Sequence, residues 1–396
     1  MTRCMKTLIA LTTAAISGRV APVLAAVPPV GSSPAPQARG EYELIAQNDL
    51  GMHCMNEDFS ELVILPPYNT VRAQVIQRRR EPNVVTEGLT LRYAFPSNAR
   101  SADKTNFWKY CPQIFGVALP PNVGLTGHGM TGTLDALPRD GVWEVSGIPI
   151  TPFDDRGRLQ PYPLVTIIAE KDGVEVARTQ TVVPVSQEIT CNLCHVTPGI
   201  STSTDILRDH DRLHGTSLEQ SKPVLCAACH ADPALGAEGN PELPMLSHAM
   251  HAAHADRMDQ SGLDNVCYAC HPGIRTQCQR DVHMAGQVEC VDCHGGMAQV
   301  GDSSRMPWLE EPTCGSCHAR TGFEFEEPGK LFRFSRGHGG VACLTCHGSP
   351  HAITPTLTAV DNVQSMRLQG RPGTINDCLV CHTRQPEDNF RHRLFN

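Results

Sequence analysis

The sequence lacks the surplus of basic residues that a nucleic-acid-binding protein needs. Its 41 acidic residues outnumber its 33 lysines and arginines, which gives a formal net charge of -8 at pH 7. A polyanionic phosphate backbone requires a basic face on its partner. Charged residues make up only 19% of the chain and aromatic residues only 5%. We therefore expect no nucleic-acid partner.

Long apolar runs are also missing. The apolar run of residues 8–17 is well short of the roughly 20 residues that span a bilayer, and no later run is long enough. Residues 1–25 place Arg3 and Lys6 before this run and end in Val-Leu-Ala, which is typical of a signal peptide. The alternative is an N-terminal membrane anchor. We predict a cleaved signal peptide, export to the periplasm or the cell surface, and no transmembrane segment in the mature chain.

The next two segments differ in composition. Residues 26–40, AVPPVGSSPAPQARG, are rich in Pro, Ser and Gly without an apolar period, which predicts a linker. Residues 41–187 contain short apolar stretches separated by Pro, Gly, Asn and Asp, which is typical of strands. The clearest hairpin turns at Asp172-Gly173. We predict a β-rich, sandwich-like domain over residues 41–187.

Cysteine, in contrast, is abundant, with 18 residues in a chain of 396. Fourteen of them lie in seven CxxCH motifs after residue 188. The motif cysteines are Cys191 and Cys194, Cys226 and Cys229, Cys267 and Cys270, Cys290 and Cys293, Cys314 and Cys317, Cys343 and Cys346, and Cys378 and Cys381. The histidines that complete the motifs are His195, His230, His271, His294, His318, His347 and His382.

CxxCH is the attachment pattern of haem c. Two thiols three positions apart can each bond one vinyl group of a porphyrin, and the adjacent histidine becomes the proximal iron ligand. Zinc sites, disulfides and redox dithiols also use CxxC, but none of them needs a histidine after every second cysteine. We therefore predict seven covalent haem c groups as cofactors.

The haem-bearing segment has little protein with which to build a core. Residues 191–396 leave about 29 residues for each motif. The haems must then be close together and serve as packed material themselves. We predict an α+β protein in which a helix-and-loop multihaem cytochrome c domain with little regular structure, over residues 188–396, follows the β domain.

Nine further histidines in this segment are candidates for the distal position on seven irons. They are His210, His214, His248, His251, His254, His283, His338, His351 and His392. Two of the nine must be spare. His210 and His254 are the less favoured, because each has an alternative ligand on the same helical face. His214, His283 and His338 each occur shortly before a haem motif.

Features of a catalytic haem are scarce. Complete bis-histidine ligation leaves no open iron, which is the arrangement of an electron carrier. The chain has no CxxCK motif, and no Ser-His-Asp or paired-carboxylate constellation stands out. The motif at Cys314 is preceded by Met297 and Met306 but by no nearby histidine, so its iron is expected to be Met-ligated or open. No residue is assigned a catalytic role.

The segment NDLGMHCMNEDF, residues 48–59, brings several soft metal ligands together. The favoured interpretation is a disulfide between Cys54 and Cys111, which an oxidising compartment permits. The alternatives are that His53 ligates a haem of the second domain or that the loop binds a separate metal. Cys278 is left over, as a buried free thiol or as a partner for the N-terminal domain or another subunit.

The seven CxxCH motifs resemble those of multihaem c-type cytochromes from bacteria that respire metals or exchange electrons with surfaces and partner cells. The layout of an exported β domain led by NDLGMHC and followed by closely spaced haems is similar to cytochromes of extracellular electron-transfer gene sets, some of which polymerise into conductive filaments. Seven haems is less usual there than four, eight or ten. The resemblance implies mostly bis-histidine haems, arranged in stacked and T-shaped pairs.

Three functions follow as expectations. The leading one is electron transfer through seven closely packed haems, with redox partner proteins or extracellular acceptors as partners. The second is a multihaem oxidoreductase that acts on a small nitrogen or sulfur oxyanion at one open iron, which would be the one bound by His318. The third is a filament subunit that self-associates through Cys278 or a β edge.

Overall fold

A computed structural model describes residues 39–321, 323, 325–387 and 392 of the chain. The predicted signal peptide and all but the last two residues of the predicted linker lie outside these residues. Helices and strands both occur, so the protein is of mixed class. None of the helices in the described ranges is both long and apolar enough to cross a bilayer.

Twelve strands and nine α-helices occur in the described residues. The strands are β1 (Tyr42–Asn48), β2 (His53–Cys54), β3 (Leu62–Val63), β4 (Thr70–Gln77), β5 (Asn83–Val85), β6 (Thr90–Ala94), β7 (Thr131–Leu137), β8 (Val142–Ser146), β9 (Leu164–Lys171), β10 (Val174–Val182), β11 (Val185–Ser186) and β12 (Val224–Leu225). The helices are α1 (Phe107–Phe115), α2 (Thr202–His214), α3 (Leu246–Asp259), α4 (Val282–Ala285), α5 (Cys290–His294), α6 (Met297–Val300), α7 (Gly315–His318), α8 (Cys343–His347) and α9 (Val363–Gln369).

The N-terminal part is one antiparallel sheet that is nearly closed. Its strands follow the order β1-β4-β8-β7-β6-β9-β10, with β5 added to β4. Residues 131–134 of β7 pair with β6 and residues 135–137 pair with β8, so this strand passes from one half of the sheet to the other. The edge strands β1 and β10 pack together. The predicted β-rich segment is therefore confirmed, as a single curled sheet instead of two separate stacked sheets.

The hairpin predicted at Asp172-Gly173 is confirmed between β9 and β10. Both turn residues have positive φ angles, 51° and 78°, and Val174 pairs with Lys171 across the turn. Alternate residues of β9, namely Val165, Ile167 and Ala169, are buried. This period of two sends every second side chain into the space that the curled sheet encloses.

The sheet packs directly against the cysteine-rich part of the chain. The side-chain amide of Gln364 in α9 both accepts a hydrogen bond from the backbone N–H of Ala46 and donates one to its carbonyl, each at 2.9 Å. The Gln364 side chain thus makes the two hydrogen bonds to the edge of β1 that the backbone of a neighbouring strand would make. The described residues, 39–321, 323, 325–387 and 392, belong to one compact unit. The sheet therefore serves as a base on which the later loops are held.

Gly51 allows one of these contacts, and its replacement by alanine should destabilise the fold. Its φ is +79°, and a Cβ atom there would overlap the carbonyl oxygen of Pro350. We expect Gly51→Ala to lower the free energy of unfolding by more than about 2 kcal/mol. Gly88→Ala is the matched control, because Gly88 has a φ of +69° with no atom within 4 Å of the added Cβ. Chemical denaturation should show a clearly smaller loss for the control, and equal losses would refute the steric explanation.

Candidate functional site

Each CxxCH motif folds into a single helical turn. In the first motif the carbonyl of Cys191 accepts hydrogen bonds from the backbone N–H groups of Cys194 at 3.1 Å and His195 at 3.0 Å. The motifs that begin at residues 226, 267, 314 and 378 repeat this pattern, and those at 290 and 343 form α5 and α8. Positions i, i+3 and i+4 of a helical turn share one face. Both thiols and the imidazole are therefore on the same side of each turn.

Each of the seven motif histidines faces one of the nine distal candidates. The separations between ring centroids fall in the narrow range of 5.9 to 6.4 Å. We number the pairs as sites 1 to 7 in the chain order of the motif, or proximal, histidines: His195 with His254 (6.4 Å), His230 with His210 (6.4 Å), His271 with His251 (6.1 Å), His294 with His351 (6.1 Å), His318 with His283 (6.0 Å), His347 with His392 (5.9 Å) and His382 with His338 (6.2 Å).

This spacing is the one that a metal ion between two imidazoles requires. An imidazole nitrogen lies about 2.0 Å from a bound first-row metal and roughly 1.1 Å from its own ring centroid, so two rings on opposite sides of one ion have centroids about 6.2 Å apart. If two stacked imidazoles were in direct van der Waals contact, their ring centroids would be closer together than in these pairs. The seven pairs therefore fit axial ligands on either side of an iron.

A metal ion held at one of these sites would take its remaining ligands from a group other than the described protein residues. No cluster of three or more His, Cys, Asp or Glu side chains that could hold a metal ion occurs in residues 39–321, 323, 325–387 and 392. A structural zinc site takes four protein ligands. A porphyrin supplies four nitrogens itself and needs only the two axial ones from the chain. The residues present therefore fit haem c and do not fit structural zinc.

Hydrogen bonds fix the orientation of many of these rings. The Nδ1–H groups of His230 and His382 donate to the carbonyls of Pro244 and Arg80, both at 2.8 Å. The Nδ1–H groups of His251 and His254 donate to the carbonyls four residues earlier in α3, both at 2.7 Å. An imidazole that donates through Nδ1 keeps the lone pair of Nε2 for a metal. The backbone thus selects the tautomer that a ligand needs.

Burial keeps several of the rings neutral. Burial, followed by the neighbouring imidazoles, lowers the pKa of His271, His294 and His347 to about 4. A histidine must be deprotonated to bind a metal. These three proximal rings are therefore in the ligand form at neutral pH.

Two of the nine distal candidates lie outside the seven pairs, and they are His214 and His248. His248 is buried, and its Nε2–H donates to the carbonyl of Arg305 at 2.8 Å, so the nitrogen that would bind a metal is occupied. The ring of His214 lies 4.8 Å from that of His210. His210 and His254 were the less favoured candidates, yet both face a proximal histidine, because the orientation of each helix decides which of two neighbours on a face reaches a motif.

Site 5 differs from the sequence expectation. The iron of the Cys314 motif was expected to be Met-ligated or open, but the ring of His283 lies opposite His318. The segment that carries His283 pairs with the segment that carries His351, since Arg280 N–H donates to the His351 carbonyl at 2.9 Å. This contact places a histidine from far upstream at site 5. The distal ligand of site 5 is therefore not the residue nearest to the motif in the sequence.

The favoured Cys54–Cys111 disulfide is also wrong, because both residues are free thiols. Cys111 belongs to α1 and is buried in the core that the sheet encloses. Cys54 lies in β2, which pairs with β11, and Ser186 of β11 is hydrogen-bonded to Thr276 at 2.6 Å between hydroxyl oxygens. This register brings Cys54 towards Cys278 instead of towards the core.

His53 is likewise not placed at a motif. Its buried ring donates from Nε2 to the carboxylate of Asp49 at 2.8 Å. The soft ligands around it do not form a three-ligand metal cluster among the described residues. The NDLGMHC segment is therefore a structural loop, in which Gly51 contacts Pro350 and His53 is held by an acid.

The three cysteines outside the motifs in the described residues, Cys54, Cys111 and Cys278, should react slowly with alkylating reagents. Burial raises the pKa of the Cys54 and Cys111 thiols, and raises that of Cys278 to about 11. At pH 8 about one Cys278 in a thousand is then a thiolate, and this fraction rises about tenfold for each pH unit.

We expect almost no labelling of the native, haem-loaded protein at pH 8, and labelling of Cys54, Cys111 and Cys278 alone after denaturation. Peptide mass mapping identifies the modified residues. Labelling of any CxxCH cysteine in the denatured, loaded protein would show that its thiol is not bonded to haem.

Comparisons of the chain with family models, with curated proteins and with solved structures found no match.

Proposed function

We propose that this chain is an exported electron-transfer protein, in which a β-rich domain over residues 41–187 supports a heptahaem cytochrome c domain over residues 188–396. The observation that carries the proposal is the one-to-one pairing of seven motif histidines with seven distal histidines at 5.9 to 6.4 Å. A c-type haem, when bound, supplies an iron that changes reversibly by one electron.

The chain's own residues hold and orient the group at each site. The two thiols of a CxxC turn would attach it covalently, and the two histidines of the pair would bind its iron. Hydrogen bonds such as that from His230 Nδ1 to the Pro244 carbonyl keep the rings from turning. A ligand set that is fixed in this way changes little when the electron arrives or leaves.

Double imidazole ligation supports electron transfer over catalysis. An oxidoreductase that binds a substrate on iron needs one exchangeable position. Site 5 was the strongest candidate for such a position, and His283 faces His318 there. The alternative of an oxyanion-reducing enzyme was based on a site 5 without a distal histidine, so this arrangement does not support it.

The place and partners of this activity rest on the sequence. The N-terminal segment has the pattern of a signal peptide, and attachment of haem c takes place outside the cytoplasmic membrane in the cytochromes that this chain resembles. We propose that the protein works in the periplasm or at the cell surface, and that it exchanges electrons with redox proteins or extracellular acceptors. This assigns it to the multihaem cytochromes of extracellular electron transfer.

The proposal is tested on protein produced with cytochrome c maturation enzymes. Haem per chain, the electron paramagnetic resonance spectrum of the oxidised form and the effect of carbon monoxide on the reduced form are measured together. We expect seven haems per chain, all low-spin, with no carbon monoxide binding. A native high-spin iron that binds carbon monoxide would favour the enzyme, and a protein without covalent haem would overturn the proposal.

A further inference from the structure

We infer that the seven sites form one unbranched row in the order 2-1-3-4-5-6-7, so that sites 2 and 7 are its ends. This inference rests on the proposed function, because it concerns how the attachment sites succeed one another. It is carried by the residues that lie between neighbouring sites. The first two sites are reversed relative to the chain.

Sites 2 and 1 meet at the C-terminal end of α2. The carboxylate of Asp209 lies 3.7 Å from Nδ1 of His195, the proximal histidine of site 1. The next residue, His210, faces His230 of site 2. Adjacent residues of one helix therefore contact two different sites.

Sites 1 and 3 share α3. His254 faces His195 of site 1, and His251, one turn earlier, faces His271 of site 3. The two motifs touch as well, because the hydroxyl of Thr190 donates to the carbonyl of Ala269 at 2.7 Å. Site 1 thus has site 2 on one side and site 3 on the other. α3 follows the motif of site 2 in the chain and returns to complete site 1, which explains the reversal.

Sites 3, 4 and 5 follow through direct contacts. α6, which directly follows the motif of site 4, packs against α3, which carries the distal histidine of site 3. A Cβ atom added at Gly301 would lie 3.0 Å from the backbone nitrogen of Ala252, the residue after His251. The distal histidine of site 4 is His351, whose backbone carbonyl accepts from Arg280, while Val282 N–H donates to the carbonyl of Ile353 at 3.1 Å. The next residue after Val282 is the distal histidine of site 5. Two hydrogen-bonded backbone segments therefore carry the distal histidines of sites 4 and 5.

Sites 5 and 6 are joined through a short acidic segment. The carboxylate of Glu326 accepts a hydrogen bond from the backbone N–H of Cys314 in site 5. Glu327, the next residue, donates its N–H to the Ser335 hydroxyl at 3.1 Å, and the Ser335 carbonyl accepts from Cys343 of site 6 at 3.0 Å. Three residues thus span the distance between the two motifs.

Sites 6 and 7 share an apolar cluster. Cys346 of site 6 and Cys381 of site 7 pack against the same buried residues, which include Ile375 and Val380. The carbonyl of Cys346 accepts from the N–H of Ile375 at 2.9 Å. In addition, the distal histidine of site 7, His338, lies shortly before the motif of site 6 in the chain.

The N-terminal part of the chain contacts both ends of this row. β12, which leads into the motif of site 2, pairs with β3. At the other end the guanidinium of Arg78, just after β4, donates to the carbonyls of Val380 and Leu379 at 3.0 and 3.1 Å. Electrons that cross the molecule by the shortest steps therefore enter and leave at sites 2 and 7.

The test is a structure of the haem-loaded protein in which the irons are located by anomalous scattering at the iron absorption edge. We expect each iron to have as its nearest neighbours only those of the adjoining sites in the row, with the iron of site 1 between those of sites 2 and 3. An iron of site 2 that lies nearer to site 3 than to site 1, or a branch at any site, would overturn the order.

This experiment separates the two proposals. Seven irons with axial histidine pairs in another order would overturn the row and leave the proposed function intact. Fewer than seven haem irons would count against the proposed function itself. Seven irons in the order 2-1-3-4-5-6-7 would support both.

Discussion

Replacing His254 with alanine should convert one haem of the seven from low-spin to high-spin and create one carbon monoxide site per chain. His254 faces His195 and its Nδ1–H donates to the Met250 carbonyl, so the variant removes an axial ligand and leaves the attachment thiols untouched. His251→Ala should do the same at site 3. Electron paramagnetic resonance and carbon monoxide titration count the affected irons.

His248→Ala is the matched control on the same helix. His248 is also buried in α3, but its Nε2–H donates to the Arg305 carbonyl. Loss of this hydrogen bond should lower the stability by about 1 kcal/mol and change no spin state. Added imidazole should return the His254→Ala and His251→Ala proteins to the low-spin form. An open iron in His248→Ala, or none in His254→Ala, would show that the pairing of α3 with the motifs is wrong.

The second large effect should come from Arg280. Its guanidinium is fully buried and donates twice to the carboxylate of Asp361, both at 2.7 Å, and once to the Gly51 carbonyl at 2.7 Å. Arg280→Met leaves a buried, unpaired carboxylate. We expect the free energy of unfolding to fall by about 3 to 5 kcal/mol, measured by chemical denaturation of the haem-loaded protein.

Arg178→Met tests whether burial is the cause. Arg178 makes the same two-bond contact with Glu175, at 2.6 Å for both bonds, but both side chains are exposed. Its loss should cost less than about 1 kcal/mol. The double variant Arg280→Met with Asp361→Leu should recover part of the loss, since it removes the unpaired charge. Equal effects of Arg178→Met and Arg280→Met would contradict this account.

Local features of the molecule could be predicted from the sequence. The CxxCH turns are formed within five consecutive residues, so the motif alone places both thiols and the proximal imidazole on one face. The hairpin at Asp172-Gly173 is equally local, because the turn residues determine the register of the strands next to them. In both cases the interactions that decide the structure lie within the pattern itself.

The distal pairings could not be predicted, because they depend on contacts between distant segments. His283 lies just before the motif at Cys290 but faces His318, and His338 lies just before the motif at Cys343 but faces His382. These two segments therefore serve a site other than the one whose motif they precede. One stretch of chain can therefore contact two sites. The spacing of the histidines in the sequence does not indicate this arrangement.

The error over Cys54 has the same origin. Cys54 and Cys111 are the two cysteines of residues 41–187, so composition alone predicts a disulfide between them. The pairing of β2 with β11 turns Cys54 towards the segment around Thr276, while α1 directs Cys111 into the core. Strand register, which a short strand of two residues specifies weakly, decided the outcome.

On the proposed function, the position of each distal histidine in the chain also determines when its site would be completed during export. A chain that leaves the cytoplasm from its N-terminus presents His210, His251, His283 and His338 before the motifs that they face. His254, His351 and His392 would emerge only after the motifs of sites 1, 4 and 6, so each of these sites would have only its motif histidine until then. Site 6 is completed last of all. A chain shortened after His382 keeps all seven attachment motifs but loses His392, and proteolysis there would turn an electron carrier into a protein with one iron open to small molecules.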